Sequence, residues 1–367
     1  MEAIEKTDEI IEIDNILFES FIEYVRYAPT GDNSQHWSYQ NCGTHINIYH
    51  EDSKSKHIFN QKNSASLISL GTVLESFNIV GINKDLKMNV IEISTSPLED
   101  KLFASISFSS HTKLRKEFSN KDLTKRETNR HHFSTEFKDY GLIESVNDFA
   151  RSLGVTISYS NTLSQETKKY IKNCENYVWE DYKAFMDTSK WIRFSEKEKL
   201  ETKDGFGLKN IMLNRIDGFF VKLFRKSEFL FKSIYKIGLK FKVSIDASKM
   251  IQNTGVFIRF GADGDNPESF VSVGRVALRV WLKLNNSGYA VQPLSLASLF
   301  ALSCNNNTES IVCSKKYLSM FTKGHQSIDQ EFAREDQTIW MLRSGRCNPL
   351  NNLERTLRKD IKTFIKD

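Results

Sequence analysis

Three segments of this 367-residue chain gather side chains able to hold a flat, anionic ligand. The first reads Ala28-Pro29-Thr30-Gly31-Asp32-Asn33-Ser34-Gln35-His36-Trp37. Its small residues let backbone approach a planar molecule, and the amides of Asn33 and Gln35 each donate and accept. Alone it also reads as a turn that ends a helix. The second reads Lys125-Arg126-Glu127-Thr128-Asn129-Arg130-His131-His132-Phe133. Arg126 and Arg130, four residues apart, converge on one face if the segment is helical. Two guanidinium forks with the Thr128 hydroxyl suit a phosphate or another planar anion. The alternative is a solvated basic loop. The pair His131-His132 lacks a carboxylate or Cys at workable spacing, so it reads as packing or loop rather than a metal site. The third is Trp340-Met-Leu-Arg343-Ser-Gly345-Arg346, followed by Pro349, Arg355 and Arg358. A strand running into Gly and separated arginines can present cations at its end. For Arg358 a charged tail helix is the preferred reading.

These segments need elements to position them. Apolar spacing over 16–28 predicts a helix that the turn residues 29–33 stop. Residues 37–49 alternate as a strand, and 64–82 read as a helix. Residues 88–94 and 102–108 read as an antiparallel pair. Beyond the basic stretch 111–130, helices are predicted near 144–153 and over 164–186, with a short strand at 155–159 between them. Strands are predicted at 255–260 and 338–343, and helices at 269–287 and 353–365.

One repeat links the two halves. Ser66-Leu-Ile-Ser-Leu-Gly71-Thr-Val73 and Ser269-Phe-Val-Ser-Val-Gly274-Arg-Val276 share the pattern Ser-x-x-Ser-x-Gly-x-Val at an offset of 203 residues. Each continues as an amphipathic helix of similar length, which favours a duplicated unit imitating a two-fold dimer.

With these residues in view, the chain resembles the nitroreductase superfamily of FMN-dependent oxidoreductases. Ala28-Pro29-Thr30-Gly31-x-Asn33-x-Gln35-x-Trp37 is similar to that family's Ala-Pro-Ser-x-x-Asn-x-Gln-Pro-Trp signature, with His36 in place of Pro. The run Arg126 to Phe133 is similar to its Arg-Arg-Ser/Thr-x-Arg-x-Phe signature, with Glu127 in place of the second Arg. The arginine signature follows the Asn/Gln motif here, an order that resembles the Acg-like branch of fused units with one surviving flavin site. The resemblance implies an α+β fold of two nitroreductase-like units, pseudo-two-fold symmetric, with antiparallel-rich sheets wrapped by helices. The units would be 1–120 and 121–367, the second carrying a lid-like basic aromatic insertion at about 200–250. That insertion is expected to cover or replace the second, signature-free cleft.

The resemblance also implies a cofactor and a reaction. Arg126 and Arg355 would bind the FMN phosphate, with Thr128 and Asn129 in the same motif. Arg130 would lie near flavin N1 and O2, where a cation raises the potential. Pro29, Thr30, Gly31, Asn33 and Gln35 would touch the ring or ribityl chain, and Gln292, Pro293 and Leu294 would lie near N5. NADH or NADPH would reduce the flavin, which would pass hydride to a small-molecule acceptor. No catalytic side chain is required, because the flavin carries the chemistry. The alternative is a protein that binds or sequesters FMN with little turnover. A monomer that imitates a dimer is expected.

Composition narrows the classes further. Hydrophobic residues make up 40% of the chain and 26 residues are Phe, enough for a sizeable core. The five Cys are scattered and odd in number, which reads as reduced thiols in a cytoplasmic protein. The acidic residues of 1–14 do not read as a secretory leader, and no spanning helix is expected. Between residues 205 and 245, nine Lys and Arg face two acids, a net +7 against +5 for the whole chain. Aromatics alternate with lysines there. A membrane contact is one reading, and a lid that packs its aromatics inward is the preferred one. Balanced charge elsewhere argues against nucleic acid.

Overall fold

The computed structural model describes residues 9–60, 63–94, 101–111, 114–264, 266–304, 315–347 and 354–366. Residues 1–8 of the acidic N-terminal stretch, and Pro349, lie outside the described residues. The fold mixes α and β, with two four-stranded antiparallel sheets. The first contains β1 (Trp37–Asn41), β2 (Ile46–His50), β3 (Leu86–Ile93) and β4 (Leu102–Ser110), in the order β1-β2-β4-β3. A two-residue parallel pair, β5 (Val155–Ser160) aside, follows in sequence as β6 (Ile192–Arg193) and β7 (Phe206–Gly207). The second sheet contains β5, β8 (Val256–Ala262), β9 (Ala290–Pro293) and β10 (Gln337–Gly345), in the order β5-β8-β10-β9. Each sheet runs first, second, fourth, third, and each has one long helix in sequence between its second and third strands.

Those helices, Ser64–Asn83 and Pro267–Asn286, cross in backbone contact. A Cβ on Gly71 would sit 2.1 Å from the Val271 carbonyl oxygen, and one on Gly274 would sit 2.0 Å from that of Ile68. Only glycine permits this approach. One turn further along, the fully buried Glu75 carboxylate accepts from Arg275 Nε at 3.0 Å and Arg279 Nε at 2.7 Å. Arg279 also donates to Glu117 at 3.0 Å. Pro267 at the first turn and an Asn266 cap, accepting from the Ser269 amide at 2.9 Å, start the second helix. The first helix is long and apolar enough to cross a membrane, contrary to the sequence expectation, but 83% of its apolar window is buried inside the fold.

Several predicted elements change form. The strand expected over 37–49 is a hairpin, β1 and β2, whose turn uses Gly43 at φ +79°. The helix expected over 164–186 breaks at Asp181, whose carboxylate caps the following helix by accepting from the Ala184 amide at 3.0 Å. The helix near 144–153 is two short ones, Gly141–Glu144 and Asn147–Ser152. The largest change is at the C-terminus, where residues 354–360 are not helical. Side chains outcompete a helical ladder for this backbone: Gln35 Oε1 accepts from the Lys359 amide at 2.9 Å, and Asn33 Nδ2 donates to the Leu357 carbonyl at 3.2 Å. The strap then pairs with the β1 edge through Tyr39 and Lys366. A segment assigned by sequence to the second unit thus completes the first sheet.

Replacing Gly71 by Ala tests the crossing. Helix propensity alone would favour Ala by about 1 kcal/mol. The overlap with a backbone carbonyl should outweigh it, giving a net loss of about 1–3 kcal/mol. Chemical denaturation reads this as a lower midpoint, and a midpoint at or above the parent's would contradict the crossing.

Candidate functional site

The three chemically distinctive segments meet at a cavity of about 470 Å³ between the two sheets' loops, within the range of about 300–1,000 Å³ usual for small-molecule sites. Pro29, Thr30, Gly31 and Asn33 line it from one side. Arg126, Thr128 and Arg130 line it from another, with Gln292, Pro293 and Arg355. Trp281, Trp340, Trp191, Phe206 and Ile68 supply flat apolar surface. A larger depression of about 690 Å³ along β5 contains none of the arginine cluster.

The loop before β1 owes its shape to side-chain clamps. Asp32, Asn33 and Gln35 all adopt left-handed backbone, at φ 53°, 54° and 51°. Single residues of this kind cost of order 1–3 kcal/mol and persist only where the surroundings enforce them. Here the Gln35 amide nitrogen donates to Thr30 Oγ1 at 3.0 Å, and the Pro29 carbonyl accepts from Ser69 and Thr72 of the central helix at 3.0 and 3.2 Å. Asn33 Nδ2 donates to the Gly205 carbonyl at 3.1 Å, and Gln35 Nε2 donates to that of Lys203 at 2.8 Å.

Three of the expected contacts are placed otherwise. Gln35 is buried and ties the C-terminal strap and residue 203, so it is a clamp rather than part of the cavity wall. Asn129 is fully buried, its amide donating to the Val291 carbonyl at 2.9 Å and its Oδ1 accepting from the His131 amide at 2.9 Å. Leu294 points into the core. All three lie beside the cavity and brace its walls.

Two charged clusters flank the apolar surface. In one, Arg126 lies over the Trp281 ring at 4.6 Å, and its Nε and Nη1 are buried without a hydrogen-bond partner. Burial, with Arg358 and Arg355 nearby, lowers this guanidinium to about 9. Arg358 donates from Nη1 to Asn33 Oδ1 at 2.6 Å, while its Nε is buried and unpartnered. Burial lowers it to about 10. It is a wall of the cavity, not the tail residue read from sequence. Arg355 commits its fork to the carbonyls of Thr124 and Lys125 at 3.1 and 2.9 Å, so it holds the turn that presents Arg126. Glu127, at the position where the resembled family has Arg, lies 3.4 Å from Arg355 Nε.

In the other cluster, the Arg130 guanidinium stacks 4.7 Å from the Phe206 ring centroid and donates to the Asn210 carbonyl at 3.1 Å. Asp32 and Glu175 act on its charge. His57 lies between Asp32 and Asp187, each at 3.5 Å. Burial raises Asp32 above its ordinary value and pushes Glu175 up to about 7, against the pull of Arg343 and Arg130. Arg343 is fully buried against Phe133 at 4.0 Å and donates to Gln292 Oε1 from Nε and Nη2 at 2.8 and 2.6 Å. It therefore fixes the Gln292 amide rather than presenting a free cation. Glu175 and His57 are absent from the sequence reading, in which Asp32 is only a turn residue and Arg358 only a tail residue. Glu175 and Arg358 sit in ordinary charged stretches, and nothing local marks them.

The start of the basic aromatic segment forms part of this cavity's wall. Phe206, Asn210, Ile211 and Leu213 line the same cavity as the arginines, because Asn33 pins residue 205 and Asn210 Nδ2 donates to the Glu354 carbonyl. No protein-family model matches the chain, and no curated protein matches it.

Glu175 yields a pH prediction. Its pKa is higher folded than unfolded, so ionising it opposes folding. That cost is absent below the unfolded value near 4.5 and is complete once pH passes about 7. Relative to the parent, Glu175→Gln should therefore gain stability as pH rises from 5 to 8, by at most about 3 kcal/mol. Denaturation curves across that range that run parallel for the two proteins would contradict the burial of this charge.

Proposed function

We propose that the chain is two fused nitroreductase-like units holding one FMN in this cavity, and that it is an oxidoreductase moving hydride from NADH or NADPH to a small-molecule acceptor. One observation carries the reading. Arg126 is buried and Arg358 half-buried at the cavity, close enough for their charges to act on each other, and three of their donor atoms are buried without partners. Like charges held together with unmet donors are costly. A phosphate dianion would offer acceptors to those donors and cancel the repulsion. The shared strand order of the two sheets and the repeat at offset 203 support a duplicated unit. The arginine signature occurs once, which supports one cofactor per chain.

Roles follow for the residues in place. Arg126 and Arg358 would grip the phosphate, and Arg355 would hold the backbone turn behind Arg126. Thr128, Thr30 and Asn33 offer polar groups for a ribityl chain. Trp281, Trp340 and Phe206 would exclude water from a flat ring. Bound flavin supplies two-electron hydride chemistry. Arg130 is the cation assigned to the pyrimidine edge, where it would favour the anionic reduced form. Glu175, pushed up to about 7 by burial, would hold or release a proton at the cavity wall as pH crosses neutrality, and Asp32, raised by burial, lies on the same wall.

Fluorescence titration with FMN tests the reading. Arg126→Ala should weaken binding about ten- to a hundred-fold, the worth of a charge-assisted bidentate contact of about 1.5–3 kcal/mol. Arg126→Lys should restore only part, since an ammonium cannot present a planar fork. Arg130→Ala should weaken reduced FMN more than oxidised and so lower the reduction potential. Unchanged affinity in both Ala variants would end the proposal. FMN binding without steady-state NAD(P)H oxidation in the presence of a quinone or nitroarene would leave a flavin-holding protein instead.

A further inference from the structure

The residues 205–245 divide their apolar side chains between two faces. Helix Arg215–Lys226 turns Val221 and Phe224 inward, where they meet Phe185, Ile192 and Phe231 in a small separate core. To this extent the aromatics pack inward, as a lid would require. The outward face is also apolar. Ile216, Phe219 and Phe220 lie on one side of that helix, with Phe219 63% exposed. The continuation through Glu228–Ile234, a π-turn at Tyr235–Leu239 and Lys240–Gln252 turns Phe229, Ile237 and Phe241 outward, at 78%, 82% and 67% exposed. An ion pair between Asp217 and Lys242 at 2.8 Å joins the two stretches, and Ile216 and Phe241 are the sequence neighbours of its two members. All four exposed phenylalanines among the described residues belong to this segment. Scattered single apolar residues need no explanation, but a contiguous patch does.

Charge identifies the occupant. Arg215, Lys222, Lys226, Lys236 and Lys240 are exposed in the same helices. The segment carries +7 while the remainder of the chain sums to −2. A protein partner or a second copy of this near-neutral body would not supply a matching anionic plane, and two copies of the patch would repel. Aromatic and aliphatic side chains interleaved with lysines on in-plane helices match the boundary between acyl chains and anionic headgroups. We propose that this face docks the protein on an anionic lipid bilayer, with Phe219, Phe229, Ile237 and Phe241 entering the interface and the lysines on the headgroups. The inference is independent of what occupies the cavity. It reverses the preference drawn from sequence, where no signal separates the inward aromatics from the outward ones.

Sedimentation of the full chain with vesicles is the test. Phosphatidylcholine vesicles containing phosphatidylglycerol should bind it, and added salt should weaken the binding. Vesicles of phosphatidylcholine alone should bind at least about tenfold more weakly, at roughly 1 kcal/mol for each lysine near the surface. The triple variant Phe219→Glu, Phe229→Glu, Phe241→Glu should lose about a hundredfold or more, since each lost Phe is worth about 1.5–3 kcal/mol. These positions are exposed, so its thermal midpoint should stay near the parent's. A second variant, Lys226→Gln, Lys236→Gln, Lys240→Gln, keeps the apolar face and should lose the preference for anionic vesicles. Equal binding to both vesicle types, no binding to either, or an undiminished triple variant would overturn the proposal. So would a concentration-dependent dimer, seen by light scattering, that the triple variant abolishes.

Discussion

The crossing of the two central helices governs this molecule. Gly71 and Gly274 bring backbone against backbone, and Glu75 with Arg275 and Arg279 places a buried ion cluster one turn away. A buried carboxylate between two guanidiniums is not by itself a large source of stability, but removing one partner leaves an uncompensated charge, at about 3–5 kcal/mol. The cluster therefore penalises any shift of the helices along each other. Because each helix belongs to one sheet's connection, a fixed crossing fixes the sheets. The cavity lies where loops from both converge, so its geometry inherits that constraint.

Around this frame the chain fastens its loops with side chains rather than secondary structure. Asn33 and Gln35 hold residues 203–205 on one side and 357–359 on the other. The same two side chains thus position the base of the basic segment, the C-terminal strap and the left-handed turn of their own loop. Arg355 and Arg358, carried in by the strap, reach the cavity only because of this clamp.

The electrostatics of the cavity are divided. Arg126 and Arg358 lie in a cation-rich group with three buried donors unmet, while Arg130 has Asp32 and Glu175 as counter-charges. The first arrangement suits a permanent anion, and the second suits a charge that comes and goes. The basic segment that forms part of the cavity's wall is itself amphipathic on two faces, one packed on Phe185 and the other open to solvent. One element therefore both walls the cavity and forms the patch assigned to a bilayer.

The sequence alone determined the long, strongly periodic pieces. The helices at 64–83 and 267–286, the glycine-bearing repeat they share, the antiparallel β3–β4 pair and the segments around Arg126 and Pro29 were all legible, because each rests on local spacing or on one residue type that backbone geometry demands. Tertiary structure decided the rest. Residues 354–360 carry a plausible helical pattern but lose it to the Asn33 and Gln35 amides, which offer their backbone groups better partners than a short, exposed helix could. Gln35, Asn129 and Leu294 fall beside the cavity rather than in it, since one or two residues along a loop reverse a side chain's direction. Arg343 reads as a free strand-end cation, yet burial against Phe133 turns it into the anchor of Gln292. Whether a phenylalanine of 205–245 points inward or outward depends on which neighbour reaches it first, and that information lies in Phe185 and Ile192, far from the segment itself.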